Sequence, residues 1–206
     1  MRSPADRLRG NLASQFAQLS DDAAQGEWDA GCLVTQALAP ELDLQRLHEH
    51  AADLVKACSR PREPWIFLRE QGFQGSRGDS LLTTSRLDNV LATRSGIPIS
   101  LGVLLIHLAR AQGCETWGIN FPGHFLVSVD ARLIDPFEMS EVSEADCLSR
   151  LSPPARQGAF VRAPARKVAL RMLNNLKYQF ASMARWDRAL DMLDYQLALA
   201  PGDGAV

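Results

Sequence analysis

Apolar residues recur every three or four positions along much of the first 60 residues. The clearest stripe joins Leu47, Ala51 and Leu54 within residues 41–58, opposite a row of charged side chains. Such spacing is typical of an amphipathic helix, and residues 6–19 show a weaker version of it. We therefore predict a mostly helical N-terminal third, with the second helix stopped by the prolines that follow Cys58.

The pattern changes twice in the middle of the chain. Residues 101–109 are apolar almost without interruption, which indicates a helix covered by neighbours on most sides, and Gly113 is placed to end it. Three short runs with strand-type composition follow at residues 116–121, 124–129 and 132–135. We predict three antiparallel strands behind a buried central helix.

The remaining segments are polar or helical. Glycine and polar residues dominate 72–79, which predicts a long surface loop, and residues 140–164 resemble a short helix followed by a proline-containing linker. Helical spacing returns at Ala165 and continues as two helices divided near Ala184, with Pro201 stopping the second.

Together these elements predict an α+β fold. Its core is a buried central helix packed on a small antiparallel sheet, with a helical N-terminal region and a C-terminal helical hairpin. We expect residues 1–150 to form the main domain and residues 151–206 to form a linker and a helix pair.

Composition narrows the possible partners. A chain of 206 residues with 46% hydrophobic content buries one substantial core and one small appended unit. The 22 Lys and Arg residues against 24 Asp and Glu residues give a net charge of -2, so no basic field attracts nucleic acid. No signal-peptide core and no apolar stretch of about 20 residues is present. We expect a cytoplasmic protein with no membrane partner.

Cysteine and histidine positions do not suggest a metal site. The four cysteines are scattered without a Cys-x-x-Cys pair, which favours free buried thiols. On a helix His48 and His50 face different directions, and His107 lies in the apolar helix without an acidic partner at helical spacing. We expect neither a metal nor a cofactor.

One hydroxyl stands near the start of the buried helix. The sequence GIPIS at 96–100 places Ser100 where free backbone N–H groups and the helix dipole stabilise a developing anion. A nucleophile suits this position, and so does a simple helix cap. Local sequence leaves both interpretations open.

An imidazole and a carboxylate are predicted to meet on the adjacent hairpin. If Asp130 and Ala131 form a two-residue turn, Val129 faces Arg132, and Asp135 becomes a diagonal neighbour of His124. Such a carboxylate fixes the tautomer of the imidazole, as in a catalytic triad. The alternatives are a hydrogen-bonded core histidine and an aspartate that ends its strand with a turn.

Three sequence blocks together resemble the SirB-type branch of the transglutaminase-like superfamily. They are residues 87–101 (with LDNVL and GIPISL), residues 121–126 (FPGHFL) and residues 133–137 (LIDPF). From residue 167 onward, and especially in WDRAL at 186–190, the chain also resembles a tetratricopeptide helix pair.

The resemblance implies a papain-like fold in which a nucleophilic Cys opens the central helix and His and Asp come from adjacent strands. By position, the Cys corresponds to Ser100, the His to His124 and the Asp to Asp135. Serine is the weaker nucleophile, because its hydroxyl must lose a proton to the base during attack. SirB-type proteins often carry this serine and have no well-defined reaction, their name coming from an association with regulation of invasion genes.

Two functions follow from these observations. The first is a weakly active or non-enzymatic regulatory module, a pseudoenzyme whose cleft binds a peptide or protein ligand. The second is a hydrolase or acyltransferase that acts on peptide or isopeptide amides through Ser100, His124 and Asp135. The C-terminal helix pair fits either a partner-binding repeat or a structural cap.

Overall fold

A computed structural model describes residues 4–58 and 63–199. Its helices are α1 (Pro4–Gln18), α2 (Gly26–Leu38), α3 (Leu44–Ala57), α4 (Pro64–Glu70), α5 (Leu81–Thr84), α6 (Leu87–Thr93), α7 (Pro98–Ala111), α8 (Glu144–Ser149), α9 (Pro153–Arg156), α10 (Ala165–Ser182) and α11 (Trp186–Leu199). Its strands are β1 (Gln74–Gly75), β2 (Ser95–Gly96), β3 (Thr116–Ile119), β4 (Leu126–Val129), β5 (Arg132–Asp135), β6 (Ser140–Glu141) and β7 (Arg162–Ala163). The predicted helix stops at Pro61 and Pro201 lie outside the described residues.

The predicted α+β architecture is confirmed, with a larger sheet than expected. Strands β3, β4 and β5 are the three predicted ones, and β6 and β7 extend them into an antiparallel sheet of order β6-β5-β4-β3-β7. Two predicted strands were too long, because β3 ends before Phe121 and β4 begins after His124. His124 therefore lies in a loop and not in a strand.

The sheet carries apolar side chains on both faces. Val127 and Val129 join the main core around α7, while Leu126 joins a smaller cluster with Cys147 and Phe160. The alternation follows from the two-residue period of a strand. The polar segment 140–164 therefore covers the second face of the sheet in addition to linking two parts of the chain.

The C-terminal helices belong to the main core. Helix α10 packs against α2, and α11 packs against α1, where the rings of Phe16 and Tyr195 lie 5.1 Å apart. Helix α2 has no counterpart among the individual helices predicted from the sequence, yet it contacts both α7 and α10. Helices α1 and α11 therefore contribute side chains to the same apolar cluster.

The predicted surface loop at residues 72–79 contains a short regular element. Strand β1 pairs in parallel with β2, so that Gln74 lies opposite Ser95 and Gly75 opposite Gly96. The backbone N–H of Gly75 also donates to the carbonyl of Phe137, at 2.8 Å. These bonds place the segment beside the start of α7, which immediately follows β2 in the chain.

A buried ion pair fixes the far end of α7. Arg110 donates to both carboxylate oxygens of Glu27, and also to the carbonyls of Ala24 and Thr116. Nearby, His107 stacks on Trp28 with the ring centroids 4.2 Å apart. Burial, followed by the neighbouring His48 and Arg110, lowers the pKa of His107 to about 4, so this ring is neutral at pH 7.

Two glycines make room for one aromatic ring between the helix and the sheet. A Cβ added at Gly102 of α7 would lie 2.6 Å from the ring of Phe125, and one added at Gly118 of β3 would lie 2.5 Å from it. Both distances are shorter than side chains tolerate, so the fully buried ring of Phe125 requires glycine at both positions. Since Phe125 follows His124, this packing also positions the histidine.

None of the helices in residues 4–58 and 63–199 combines the length and the apolar character needed to cross a membrane.

Gly102→Ala is expected to destabilise the protein by about 1–3 kcal/mol, although alanine is the better helix former, because the new methyl group overlaps the Phe125 ring. Urea unfolding followed by circular dichroism measures the change. Gly10→Ala is the matched control, since Gly10 lies in α1 with open space around its Cα, and it should stabilise by about 0.5–1 kcal/mol. Equal gains for both variants would contradict the proposed packing.

Candidate active site

His124 and Asp135 are joined by a direct hydrogen bond. Nε2 of His124 lies 2.8 Å from Oδ1 of Asp135, and the backbone N–H of Phe137 donates to the same oxygen at 2.9 Å. The imidazole follows Gly123, whose φ of 72° favours glycine, and the carboxylate ends β5. The hairpin register predicted from the sequence is confirmed, with Val127 opposite Ile134.

The surroundings of Asp135 favour its ionised form. Burial alone would raise the pKa of Asp135, but its hydrogen bond to His124, the charge of that imidazole and the backbone N–H groups of Phe137 and Glu138 hold the pKa below its usual value. Asp135 is therefore an ionised acceptor, so Nε2 of His124 carries the proton that it donates. In the neutral ring Nδ1 is then the nitrogen with a free lone pair.

The third predicted site residue, Ser100, makes its hydrogen bonds elsewhere. Its side chain is fully buried, and its hydroxyl lies 2.7 Å from the carbonyl oxygen of Thr84 and 3.1 Å from that of Ile97. In the part of the chain that the structure describes, no hydrogen bond joins Ser100 to His124. The structure thus brings two of the three predicted residues together.

Ser100 does not cap the central helix. The N-cap is Ile97, without a side-chain hydrogen bond, and Pro98 is the first residue of α7. Proline suits this position because its missing N–H has no acceptor there in any helix. Ser100 is accordingly the third helical residue, and its hydroxyl binds the end of α5 to the start of α7.

A cleft opens beside His124 and has a volume of about 630 Å³. The first residues of α7 form one wall and helix α10 forms the opposite wall. The lining residues are Leu81, Ile97, Pro98, Ile99, Gly123, His124, Phe125, Arg171, Asn175, Tyr178, Gln179 and Ser182. His124 and Pro98 thus line the same cleft, whereas Ser100 does not line it.

Sequence reasoning missed two residues of this cleft. Pro98 stands at the helix start, and the known preference of proline for the first helical position was a usable signal for it. Arg171 reaches the cleft from α10, and its guanidinium donates to the carbonyl of Phe121, 50 residues earlier in the chain, at 3.1 Å. No local pattern predicts a contact over that separation.

Asp135→Asn should reduce the free energy of unfolding at pH 7 by about 1–3 kcal/mol, because a charged hydrogen bond is lost. The folded pKa lies below the usual 3.8, so the contribution of Asp135 is complete above pH 3.8 and disappears as pH falls through the folded pKa. Urea unfolding of both proteins from pH 7 to pH 3 tests this. The difference between them should shrink below about pH 4.

Asp53→Asn serves as the control, since Asp53 has an exposed side chain whose ion-pair partner among the described residues is Lys56. It should show no comparable change with pH. A gap between wild type and Asp135→Asn that widens on acidification would contradict the depressed pKa.

Comparison with known proteins identifies the family of this chain. The family model "Transglutaminase-like superfamily" matches residues 44–174. A UPF0162 protein from Xylella fastidiosa (strain Temecula1) is 37% identical over 131 residues, which cover 57% of this chain and 47% of that protein. The chain therefore spans about half the length of that relative. A UPF0162 protein from Vibrio cholerae serotype O1 is 30% identical over 211 residues, covering 86% of this chain and 77% of that protein.

A shorter match joins the chain to a eukaryotic protein. F-box only protein 21 from Pongo abelii is 36% identical over 64 residues, which is 31% of this chain and 10% of that protein. No solved structure matches the chain. The family match covers well over half of the chain and includes α7, the hairpin and the pair of His124 with Asp135, so this chain belongs to the transglutaminase-like superfamily and, with the Vibrio protein, to the UPF0162 family.

Proposed function

We propose that this chain is a SirB-type, cytoplasmic binding module that holds a peptide or protein segment in the cleft beside His124 and turns over no substrate there. The observation that carries the proposal is the placement of Ser100, whose buried hydroxyl is bonded to two backbone carbonyls and is absent from the cleft lining. A nucleophile needs an open path to its substrate and a hydrogen bond to its base.

Rotating the Ser100 side chain toward His124 costs free energy. The hydroxyl would give up its bonds to Thr84 and Ile97, and an unsatisfied buried polar group costs about 1–3 kcal/mol. The resting arrangement therefore favours a structural role for the hydroxyl.

The start of the helix supports the same conclusion. In the superfamily that this chain resembles, the nucleophile opens the central helix, and here the helix opens with Pro98. Pro98 lines the cleft together with His124 but has no nucleophilic group. The cleft thus presents His124 beside a ring that has no nucleophilic group, while Ser100, which corresponds by position to the Cys of the superfamily, is not among its lining residues.

A second candidate function rests on the intact pair of His124 and Asp135. This pair is arranged as in a triad, and a rotated Ser100 would complete a hydrolase or acyltransferase for peptide or isopeptide amides. The two candidates differ in one measurable property, which is the reactivity of Ser100.

A fluorophosphonate probe, which labels activated serines, should react with the wild type no faster than with Ser100→Ala or His124→Ala. The reason is that the hydroxyl of Ser100 is buried and bonded to carbonyl oxygens instead of to a base. Gel fluorescence of probe-treated protein gives the rates. Labelling that disappears in both variants would establish the hydrolase instead.

A thiol introduced at position 98 should be far more reactive than one at position 100. In a Cys114→Ser background, which removes the one native cysteine that is not fully buried, Pro98→Cys should react with iodoacetamide at least about tenfold faster at pH 7 than Ser100→Cys. Mass spectrometry of the alkylated peptide measures both rates. Exposure to the cleft and proximity to His124 are the physical reasons.

Adding His124→Ala to the Pro98→Cys protein should slow its alkylation and shift the pH profile upward, because the imidazole no longer promotes the thiolate. Faster alkylation at position 100 than at position 98 would contradict the placement of the two residues. Circular dichroism melts of all variants verify that each one is folded.

A further inference from the structure

Helix α10 forms one continuous polar wall with two cavities along it. The first is the cleft of about 630 Å³ beside His124, and the second, of about 480 Å³, lies toward the start of α10. The residues that line the second are Asn120, Lys167, Leu170, Arg171, Asn174, Asn175 and Gln196. Both cavities are lined by Arg171 and Asn175, so we treat them together as the α10 groove.

The charged side chains that line the α10 groove are cationic. Its lining includes Lys167 and Arg171, and none of the described residues that line either cavity is acidic. The chain as a whole carries a net charge of -2. A cationic groove on such a chain attracts anionic groups locally, although the overall charge does not.

Arg171 is held in place without a neutralising partner. Its Nη1 donates to the side-chain oxygen of Asn120 and to the carbonyl of Phe121, both of which are neutral acceptors. Among residues 4–58 and 63–199 no carboxylate pairs with it, and desolvation lowers its pKa. A half-buried guanidinium of this kind is oriented in advance for an anion, and two of its nitrogens remain for a bidentate contact.

The dimensions and chemistry of the groove suit an extended polypeptide. From Lys167 to Ser182 the helix rises ~22 Å at about 1.5 Å per residue, which matches about six or seven residues of extended chain. Opposite this polar wall, Leu81, Ile97 and Pro98 offer apolar contacts. Tyr178 is 65% exposed along the same groove, and aromatic rings of this kind often anchor peptides.

One more group in the groove lacks a partner. Gln196 of α11 is 1% exposed and borders the second cavity, and its Oε1 accepts no hydrogen bond from the described residues. The backbone N–H of a bound peptide is the kind of donor that such an oxygen requires. A small anion such as sulfate, which has neither N–H nor O–H groups at pH 7, would leave it unsatisfied.

Resting on the proposed function of the cleft, we propose that the α10 groove binds an extended polypeptide segment and that an acidic side chain of this segment pairs with Arg171. The apolar wall near Pro98 contacts the neighbouring residues of the segment. Lys167 contributes longer-range attraction, and Asn174 and Asn175 hydrogen-bond the peptide backbone.

The test uses an array of immobilised heptapeptides made in pairs that differ only by Glu or Gln at one position. All of them have amidated C-termini, and a second array presents the same peptides with free C-terminal carboxylates. Pairs retained by the wild-type chain are then measured in solution by fluorescence anisotropy. Glu peptides should bind at least about tenfold more tightly than their Gln partners, with a preference that weakens as salt rises.

Arg171→Gln should abolish the preference for Glu. Asn175→Asp provides a second variant, because its added carboxylate lies one helical turn from Arg171 and neutralises the guanidinium, and it should likewise remove the preference for Glu over Gln. Arg69→Gln is the matched control, because it removes one exposed positive charge that lines neither cavity, and it should bind like the wild type. Circular dichroism verifies the fold of each variant.

The outcomes separate this inference from the proposed function. Peptide binding with equal affinity for Glu and Gln would overturn the pairing with Arg171 and leave the peptide-binding function standing. Selectivity confined to free C-termini would overturn the assignment to an acidic side chain. Selectivity that survives both Arg171→Gln and Asn175→Asp would place the binding site elsewhere, and no retained peptide at all would overturn the proposed function itself.

Discussion

The packing of Phe125 is the constraint on which the site depends. Its ring fills the space between α7 and β3, and only glycines at 102 and 118 let the two elements approach it closely enough. The backbone on the N-terminal side of Phe125 is thereby fixed over the start of the central helix. The hydrogen bond to Asp135 then orients the imidazole of His124, which lines the cleft.

The hairpin that carries this pair was predictable because its geometry is local. Asp130 and Ala131 both adopt positive φ, 47° and 63°, as the turn of a two-residue hairpin requires, and the turn alone sets the register of β4 and β5. The buried central helix was predictable for a similar reason, since an almost uninterrupted apolar run of that length is compatible with few structures other than a buried helix. In both cases neighbouring residues determine the structure.

The direction of the Ser100 hydroxyl depends on distant residues, and the sequence could not supply it. Its hydrogen-bond partner, the carbonyl of Thr84, lies 16 positions earlier in the chain and outside the helix that carries Ser100. Arg171 is a stronger example, because the packing of α10 on α2 and α5 brings it beside the cleft. Site residues whose contacts join distant parts of the chain become evident from the tertiary structure, because the hydrophobic periodicity of the sequence reports only on local structure.

Helix α10 both lines the groove and packs within the main apolar core, through residues such as Leu173 and Leu176. The wall that a ligand touches is therefore not a detachable flap. Because occupied and empty forms share the same core, the free energy of ligand binding adds to the stability of the whole fold according to mass action. Occupancy of the groove thus becomes visible as a concentration-dependent rise in the melting temperature of the entire chain, even if nothing is turned over.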